Sequence, residues 1–245
     1  MSKVLIHGGG YGKNCWDRLL PHLSGDVLAV DLPGRGARGS IPLADVTQEM
    51  CASAVRDDIL AAGLDEVVLV GHSLAGVIVP RVVTLIPDVA RHVVLISAVV
   101  PPHGTRVLDG IDPDVRVAVE AAIAGGIYAQ TRDAGRMMLC NDLDDEQCEW
   151  ALDRVIDDAA ALLAEPVDLT GYTLDVPITY VRLDLDHTYP PELQERAQAL
   201  SGAQPFHIAA GHMVMISQPA ALADLLNAID AGSHPSGRTR APEGL

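Results

Sequence analysis

Ser73 lies in the stretch VVLVGHSLAG, Val67 to Gly76, where an apolar run meets Gly71-His72-Ser73-Leu74-Ala75 and a helical pattern follows. A serine on a sharp strand-to-helix turn is presented for nucleophilic attack, and the crowded backbone there demands small neighbours. Gly71 and Ala75 supply them, with Ala where a second Gly would complete G-x-S-x-G. Such a match is common by chance, so its weight comes from its place between a buried strand and a helix. A serine hydroxyl also needs a base. Of the nine histidines, His212 in IAAGHMVMISQP is the best placed, between the last strand pattern and the last helix pattern. Its imidazole needs a carboxylate to hold one tautomer. YVRLDLDHTYPPELQ ends a strand with two candidates, Asp184 and Asp186. Residues two apart on an extended chain point the same way, so the pattern leaves both open. His72 is expected to point away from the nucleophile, and His7 to fix its own loop. The other six histidines read as surface or packing residues.

A second feature is the turn IHGGGYGKNCW, Ile6 to Trp16. It completes neither of the two nucleotide-binding loops it resembles. Counting back from Gly12-Lys13 puts His7 where a P-loop needs Gly, and Asn14 follows the Lys in place of Ser or Thr. A dinucleotide fingerprint begun at Gly8 meets Lys13 where its third Gly belongs. Backbone N–H groups in such a turn still favour negative charge, but not a stable phosphate.

These residues need a scaffold that brings them together. Short Val/Ile/Leu-rich runs at 3–6, 27–31, 66–70, 92–97, 177–182 and 205–208 read as strands. They are continuously apolar, as strands buried on both faces are. Helix patterns fall between them at 16–23, 46–62, 74–86, 190–200 and 217–231. The alternation predicts an α/β fold, with a mainly parallel six-stranded sheet flanked by helices. Residues 101–173 break the rhythm, with no convincing strand and two helical stretches, DPDVRVAVEAAIAGGIYAQ and DDEQCEWALDRVIDDAAALLAE. An all-helical insert there suits a lid over the carboxyl edge of the sheet. The expected organisation is a core of 1–100 and 174–232, a lid of 101–173, and a disordered Gly/Pro-rich tail of 233–245.

Composition narrows the function. A net charge of −16 argues against nucleic acid and against an anionic membrane surface as partners. No apolar run approaches the ~18 residues of a membrane span. The four cysteines, at 15, 51, 140 and 148, contain no C-x-x-C and read as reduced thiols of a cytoplasmic protein. No secretory signal is seen. No metal or other cofactor is implied. Hydrophobic residues make up 49% of the 245-residue chain, enough for one sizeable core, or a core plus a lid.

The motifs in this order resemble the α/β-hydrolase superfamily, and more closely the plant methyl esterases, hydroxynitrile lyases and their bacterial relatives. The resemblance rests on VLIHGGGYGKNCWDRLLPHL, VLAVDLPGRG, GHSLAG, LISAVVP, PITYVRLDLDHTYPPELQ and GHMVMISQP, and reaches to about residue 230. It implies Ser73 as nucleophile, His212 as base and Asp186, rather than Asp184, as orienting acid. That choice follows from the spacing to Pro191-Glu192-Leu193-Gln194, which stands where the subfamily has Glu-aromatic-Gln. It also implies an oxyanion hole from the N–H groups of Gly9 and Leu74. The lyase branch carries a Lys after the catalytic His and a Thr in the oxyanion loop. Met213 and Gly9 stand at those places and resemble the esterase branch. The expected activity is hydrolysis of a small carboxylic ester through an acyl-enzyme. The rivals are thioester or lactone hydrolysis, cyclisation or acyl transfer on the same triad, and a non-catalytic small-molecule receptor. Tyr128, Met137, Met138, Trp150 and Met213 are the candidates to line a substrate pocket. The expected partner is a small-molecule ester, with a homodimer as the assembly to test.

Overall fold

The computed structural model describes residues 1–232 and 237–238. Among the described residues, nine strands run β1 (Ser2–Ile6), β2 (Val27–Val30), β3 (Val67–His72), β4 (Ala90–Ile96), β5 (Ile127–Tyr128), β6 (Asp158–Ala159), β7 (Ile178–Leu183), β8 (Gln204–Ile208) and β9 (Gly237–Arg238). The main sheet has the order β2-β1-β3-β4-β7-β8-β9 and is parallel throughout. Its six longer strands fall on the six apolar runs of the sequence. β9 is a two-residue bridge beside Phe206 and His207, so this part of the expected disordered tail is paired. The rest of 233–245 lies outside the described residues.

The apolar runs are continuous because each face of the sheet has its own core. Val4, Ile6, Val67, Leu69, Val93 and Leu95 face a cluster with Cys51, Val55 and Ile59 of helix α1 (Gln48–Ala61) and Val79, Val82 and Val83 of α2 (Val79–Leu85). Leu5, Val68, Val70, Val94 and Ile96 face the other cluster, with Trp16, Leu19, and later Leu222, Leu226 and Ile229. Neighbours on a strand point to opposite faces, so a two-faced core needs apolar residues at every position. Each such side chain contributes roughly 1.5–3 kcal/mol of burial.

The segment 101–173 enters after β4 and returns at β7. It carries α3 (Pro113–Ala122), α4 (Arg132–Leu139), α5 (Asp145–Leu152) and α6 (Ala161–Ala164). It is not all-helical: β5 and β6 form a small antiparallel ladder, Ile127 opposite Ala159 and Tyr128 opposite Asp158. Two residues per strand are too few to show a period of two. The cysteines also depart from four reduced thiols. Cys140 and Cys148 are joined by a disulfide across a Cα–Cα distance of 5.3 Å, while Cys15 and Cys51 are free and buried. α4 ends at Leu139 and α5 starts at Asp145, so the turn between them brings together two cysteines that no short motif links.

Two predicted helices change character. At 16–23 there are only 3-10 turns, Lys13–Trp16 and Leu20–His22, because Pro21 cannot donate into a longer helix. After Ser73 the chain makes a 3-10 turn, Ser73–Val77, before α2 begins. Pro80 lacks the N–H that would reach Gly76 O, and the Tyr172 hydroxyl donates to that carbonyl instead, at 3.0 Å. After β7 come α7 (Pro191–Ser201), β8, α8 (Val214–Ser217) and α9 (Pro219–Asp230). Among the described residues, no helix is long and apolar enough to cross a membrane.

Candidate active site

The elbow at Ser73 is a strained turn with no room around it. Ser73 has φ 52°, in the left-handed region that non-glycine residues seldom occupy. A methyl group on Gly71 would come within 2.7 Å of Val79 Cγ2, and one on Gly76 within 2.4 Å of Val99 O. The turn is tied from outside as well, with Val99 N–H donating to Ser73 O at 2.9 Å. Ser73 is half-buried, while Gly71, His72, Leu74 and Ala75 are buried.

Loops at the carboxyl ends of three strands converge on this turn. His212 Nε2 lies 3.0 Å from Ser73 Oγ, and His212 Nδ1 lies 2.6 Å from Asp186 Oδ2. An ionised carboxylate only accepts, so Nδ1 carries the proton and Nε2 is free to take the serine proton. His212 is 3% exposed and Asp186 1%. Burial pushes the Asp186 carboxyl up, but the His212 charge and hydrogen bonds from His212, Ser97 and the Tyr189 N–H outweigh it, leaving Asp186 below its ordinary value. Ser97 Oγ donates to Asp186 Oδ2 at 2.7 Å, and the N–H groups of Thr188 and Tyr189 donate to Oδ1 at 2.7 and 3.0 Å. Asp184 has turned to another partner, His207 Nδ1 at 2.8 Å. The structure therefore brings Asp186, His212 and Ser73 into one line and leaves Asp184 outside it.

The glycine-rich turn packs directly on the elbow. β1 ends at Ile6 opposite Gly71 of β3, so the two loops leave adjacent strand ends. A methyl on Gly8 would reach Ser73 Cβ at 2.8 Å, and one on Gly9 would reach Leu74 Cδ1 at 2.6 Å. His7 fixes this loop: Nδ1 donates to Gly8 O at 2.8 Å, and Nε2 accepts from Leu32 N–H at 3.2 Å. Accepting at Nε2 needs a neutral ring. Burial, then the Arg35 charge, pull His7 down to about 4. His72 packs against the loop that carries His212. Its Nε2 lies 2.9 Å from His212 O and its ring 4.7 Å from that of His212, so it steadies the loop that carries the base. Burial, then the His212 charge, pull His72 down to about 3.

The proposed pocket residues scatter. Met213, next to His212, is 1% exposed and belongs to a sheet-face core. Met137 is 77% exposed. Met138 is partly exposed, and its carbonyl accepts from the Thr188 hydroxyl. The Trp150 ring is covered by Arg154, 3.6 Å from its centroid, with Arg18 at 5.1 Å. Tyr128 is half-buried on β5, against the core face of α1 and α2.

Three contributors escape a reading of motifs. Ser97, which carries φ 40°, has as its only signal a position at the carboxyl end of β4. Gln194 served as a spacing marker, yet its side chain shapes the acid loop. It accepts from Leu183 N–H at 2.7 Å and donates to Leu183 O and Tyr189 O at 3.0 and 2.7 Å. The third is Asp158 on β6, wholly buried against the glycine-rich turn. Among the described residues, no group of His, Cys, Asp and Glu is arranged to hold a metal ion.

This architecture has known counterparts. Residues 4–225 match the alpha/beta hydrolase family. A carbendazim-hydrolysing esterase of a Nocardioides species is 29% identical over 239 residues, covering 92% of this chain and 98% of its own length. Methylesterase 3 of Arabidopsis thaliana is 32% identical over 103 residues, covering 40% of this chain and 39% of its own length. An extracellular alpha/beta-hydrolase from a Paenibacillus species superposes with a TM-score of 0.83 at 24% identity, covering 92% of this chain and 97% of that one. The chain belongs to the alpha/beta hydrolase family. Within it, the chain is a carboxylesterase-type hydrolase with plant methylesterases among its relatives.

Proposed function

We propose that the chain is a serine hydrolase that cleaves a small carboxylic ester through an acyl-enzyme. The observation that carries this is the continuous relay from Asp186 through His212 to Ser73. In the reaction so read, Ser73 Oγ attacks the ester carbonyl carbon and its proton passes to His212 Nε2. Asp186 holds the ring in that tautomer and stabilises its positive charge. His212 then returns the proton to the leaving alcohol, and water, deprotonated by His212, releases the acid. The carbonyl oxygen becomes an oxyanion on the way. The N–H groups of Gly9 and Leu74 are the donors for it, each worth ~3 kcal/mol of barrier. The packing of Gly9 on Leu74 supports that pairing. So does His7: with Gly8 O turned toward its ring, the planar trans peptide points Gly9 N–H the opposite way.

In this reading segment 101–173 is the lid over the carboxyl edge, and its inner surface selects the acyl and alcohol groups. Met213 in place of a Lys favours ester over cyanohydrin chemistry. Ser73→Ala should fold normally, as judged by circular dichroism, and hydrolyse p-nitrophenyl acetate with kcat reduced more than about a thousandfold. A variant that kept a tenth of the wild-type kcat would remove Ser73 from the role of nucleophile.

A further inference from the structure

The glycine-rich turn is gripped from the inserted segment as well as from the core. Gly10 N–H donates to Asp158 Oδ2 at 2.6 Å, and Ile156 N–H donates to Gly10 O at 2.9 Å. Gly9 therefore stands between two oriented peptides. The one before it is held by His7 through Gly8 O, and the one after it by Asp158 through Gly10 N–H. Gly10 itself has φ 74°, a conformation in which a side chain would be strained.

Asp158 is an unusual anchor. A methyl on Gly9 would lie 3.3 Å from its Oδ2, so a buried carboxylate sits against the residue that donates to the oxyanion. Unbalanced, that charge would oppose the negative charge that develops in the transition state. Burial makes the opposition stronger, because little water is there to screen it. The balance comes from Arg35, which is fully buried and forms an ion pair with Asp158 Oδ1. Arg35 follows β2 and is itself fixed by Nη1 donating to Pro33 O at 2.7 Å. One carboxylate thus has two separate faces: Oδ2 orients the oxyanion loop, and Oδ1 is neutralised by a core arginine.

We propose that Asp158, neutralised by Arg35, is a positioning residue for the oxyanion hole, through which the inserted segment sets the placement of Gly9 N–H. This rests on Gly9 and Ser73 having the roles given them above. Asp158 touches no reacting atom and acts through the peptide between Gly9 and Gly10.

The test uses the full chain, with active sites counted by a fluorophosphonate probe. It measures kcat and KM on p-nitrophenyl acetate and the inhibition constant of an aryl trifluoromethyl ketone. Ser73 Oγ adds to that ketone's carbonyl carbon, the serine proton moves to His212, and the oxygen becomes a hemiketal oxyanion in the hole. In Asp158→Ala, kcat per counted site should fall about tenfold to a hundredfold, the scale of an ångström's misplacement. KM should move less than about threefold, and ketone affinity should fall by the same factor as kcat, since both report the oxyanion. Arg35→Gln should also lower kcat per site, by exposing Gly9 to an unbalanced carboxylate. Adding Asp158→Asn to Arg35→Gln should recover most of that loss, because the amide oxygen can accept from Gly10 N–H without bringing a charge. This pair also serves if Asp158→Ala does not fold. Unchanged kcat and ketone affinity per counted site in Asp158→Ala, with only a lower Tm, would make the residue merely structural and overturn the proposal. A double variant no faster than Arg35→Gln alone would overturn it too. Activity surviving in Ser73→Ala would instead bring down the hydrolase reading, a separate failure.

Discussion

At the scale of single residues, the two aspartates after β7 show how much a side chain's partners decide. The chain turns after Leu183, Asp186 N–H donating to Leu183 O at 3.2 Å, so the two aspartates part: Asp186 accepts from Ser97, Thr188 and Tyr189 and meets His212, while Asp184 pairs with His207. Asp186→Asn should keep the geometry but favour the wrong imidazole tautomer, cutting kcat by about 10⁴. Asp184→Asn should stay within about tenfold, and steady-state kinetics on one activated ester separates the two. Ser73, His212 and a carboxylate after β7 were legible in the sequence because each sits at a strand end beside a recognisable turn, whereas the choice of Asp186 over Asp184 came only with the resemblance, through the spacing to Pro191-Glu192-Leu193-Gln194. Ser97, Asp158 and the side-chain role of Gln194 were not legible. Each acts through a hydrogen bond to a partner distant in sequence or to a backbone group, and no local pattern encodes such a bond. The part His72 plays in holding the base loop is illegible for a related reason: its partner, His212 O, belongs to a loop 140 residues away.

At the scale of elements, strands were read more accurately than helices. A strand buried on both faces writes itself as an unbroken apolar run, whereas Pro21 and Pro80 cut helical patterns into 3-10 turns without disturbing their hydrophobicity. The β5–β6 ladder left no trace, each strand being no longer than a single repeat. The disulfide between α4 and α5 is the element-scale feature with the clearest consequence. Around it, Asn141 Nδ2 donates to Leu185 O at 2.7 Å, and Gly211 N–H donates to Asp142. The closed loop thus touches both the acid loop and the base loop. Protein unfolded in guanidinium without reductant should titrate two thiols, Cys15 and Cys51, and four after reduction. Replacing Cys140 and Cys148 together by Ala should cost about 2.5 kcal/mol from the loop-closure entropy of so short a loop, measured by urea denaturation. Four thiols without reductant would remove the cross-link.

At the scale of the whole molecule, acid sensitivity follows from two histidines that the fold keeps neutral. His7 is pulled down to about 4 and His72 to about 3, both by burial first. The unfolded chain binds protons on both rings below about 6.5, and the folded chain does not, so stability is lost as pH falls from that value toward the folded values. At pH 5 each ring costs about 2 kcal/mol relative to pH 7.5, on ~1.4 kcal/mol per pH unit below the unfolded value. Urea midpoints at the two pH values should differ accordingly, and His72→Gln should narrow the gap. Equal midpoints in the wild type would mean that these rings are not held neutral.

The sheet order also carries a consequence in time. Ser73 is built into the sheet's centre by β1, β3 and β4, all complete by residue 96, whereas His212 follows β8 and lies 139 residues beyond the serine. A ribosome adding ~5–20 residues per second needs several seconds to cover that interval. Throughout it the emerging chain holds a serine with no base to deprotonate it. The order in which the strands are encoded thus keeps the reactive pair apart until the last long strand of the sheet has been made.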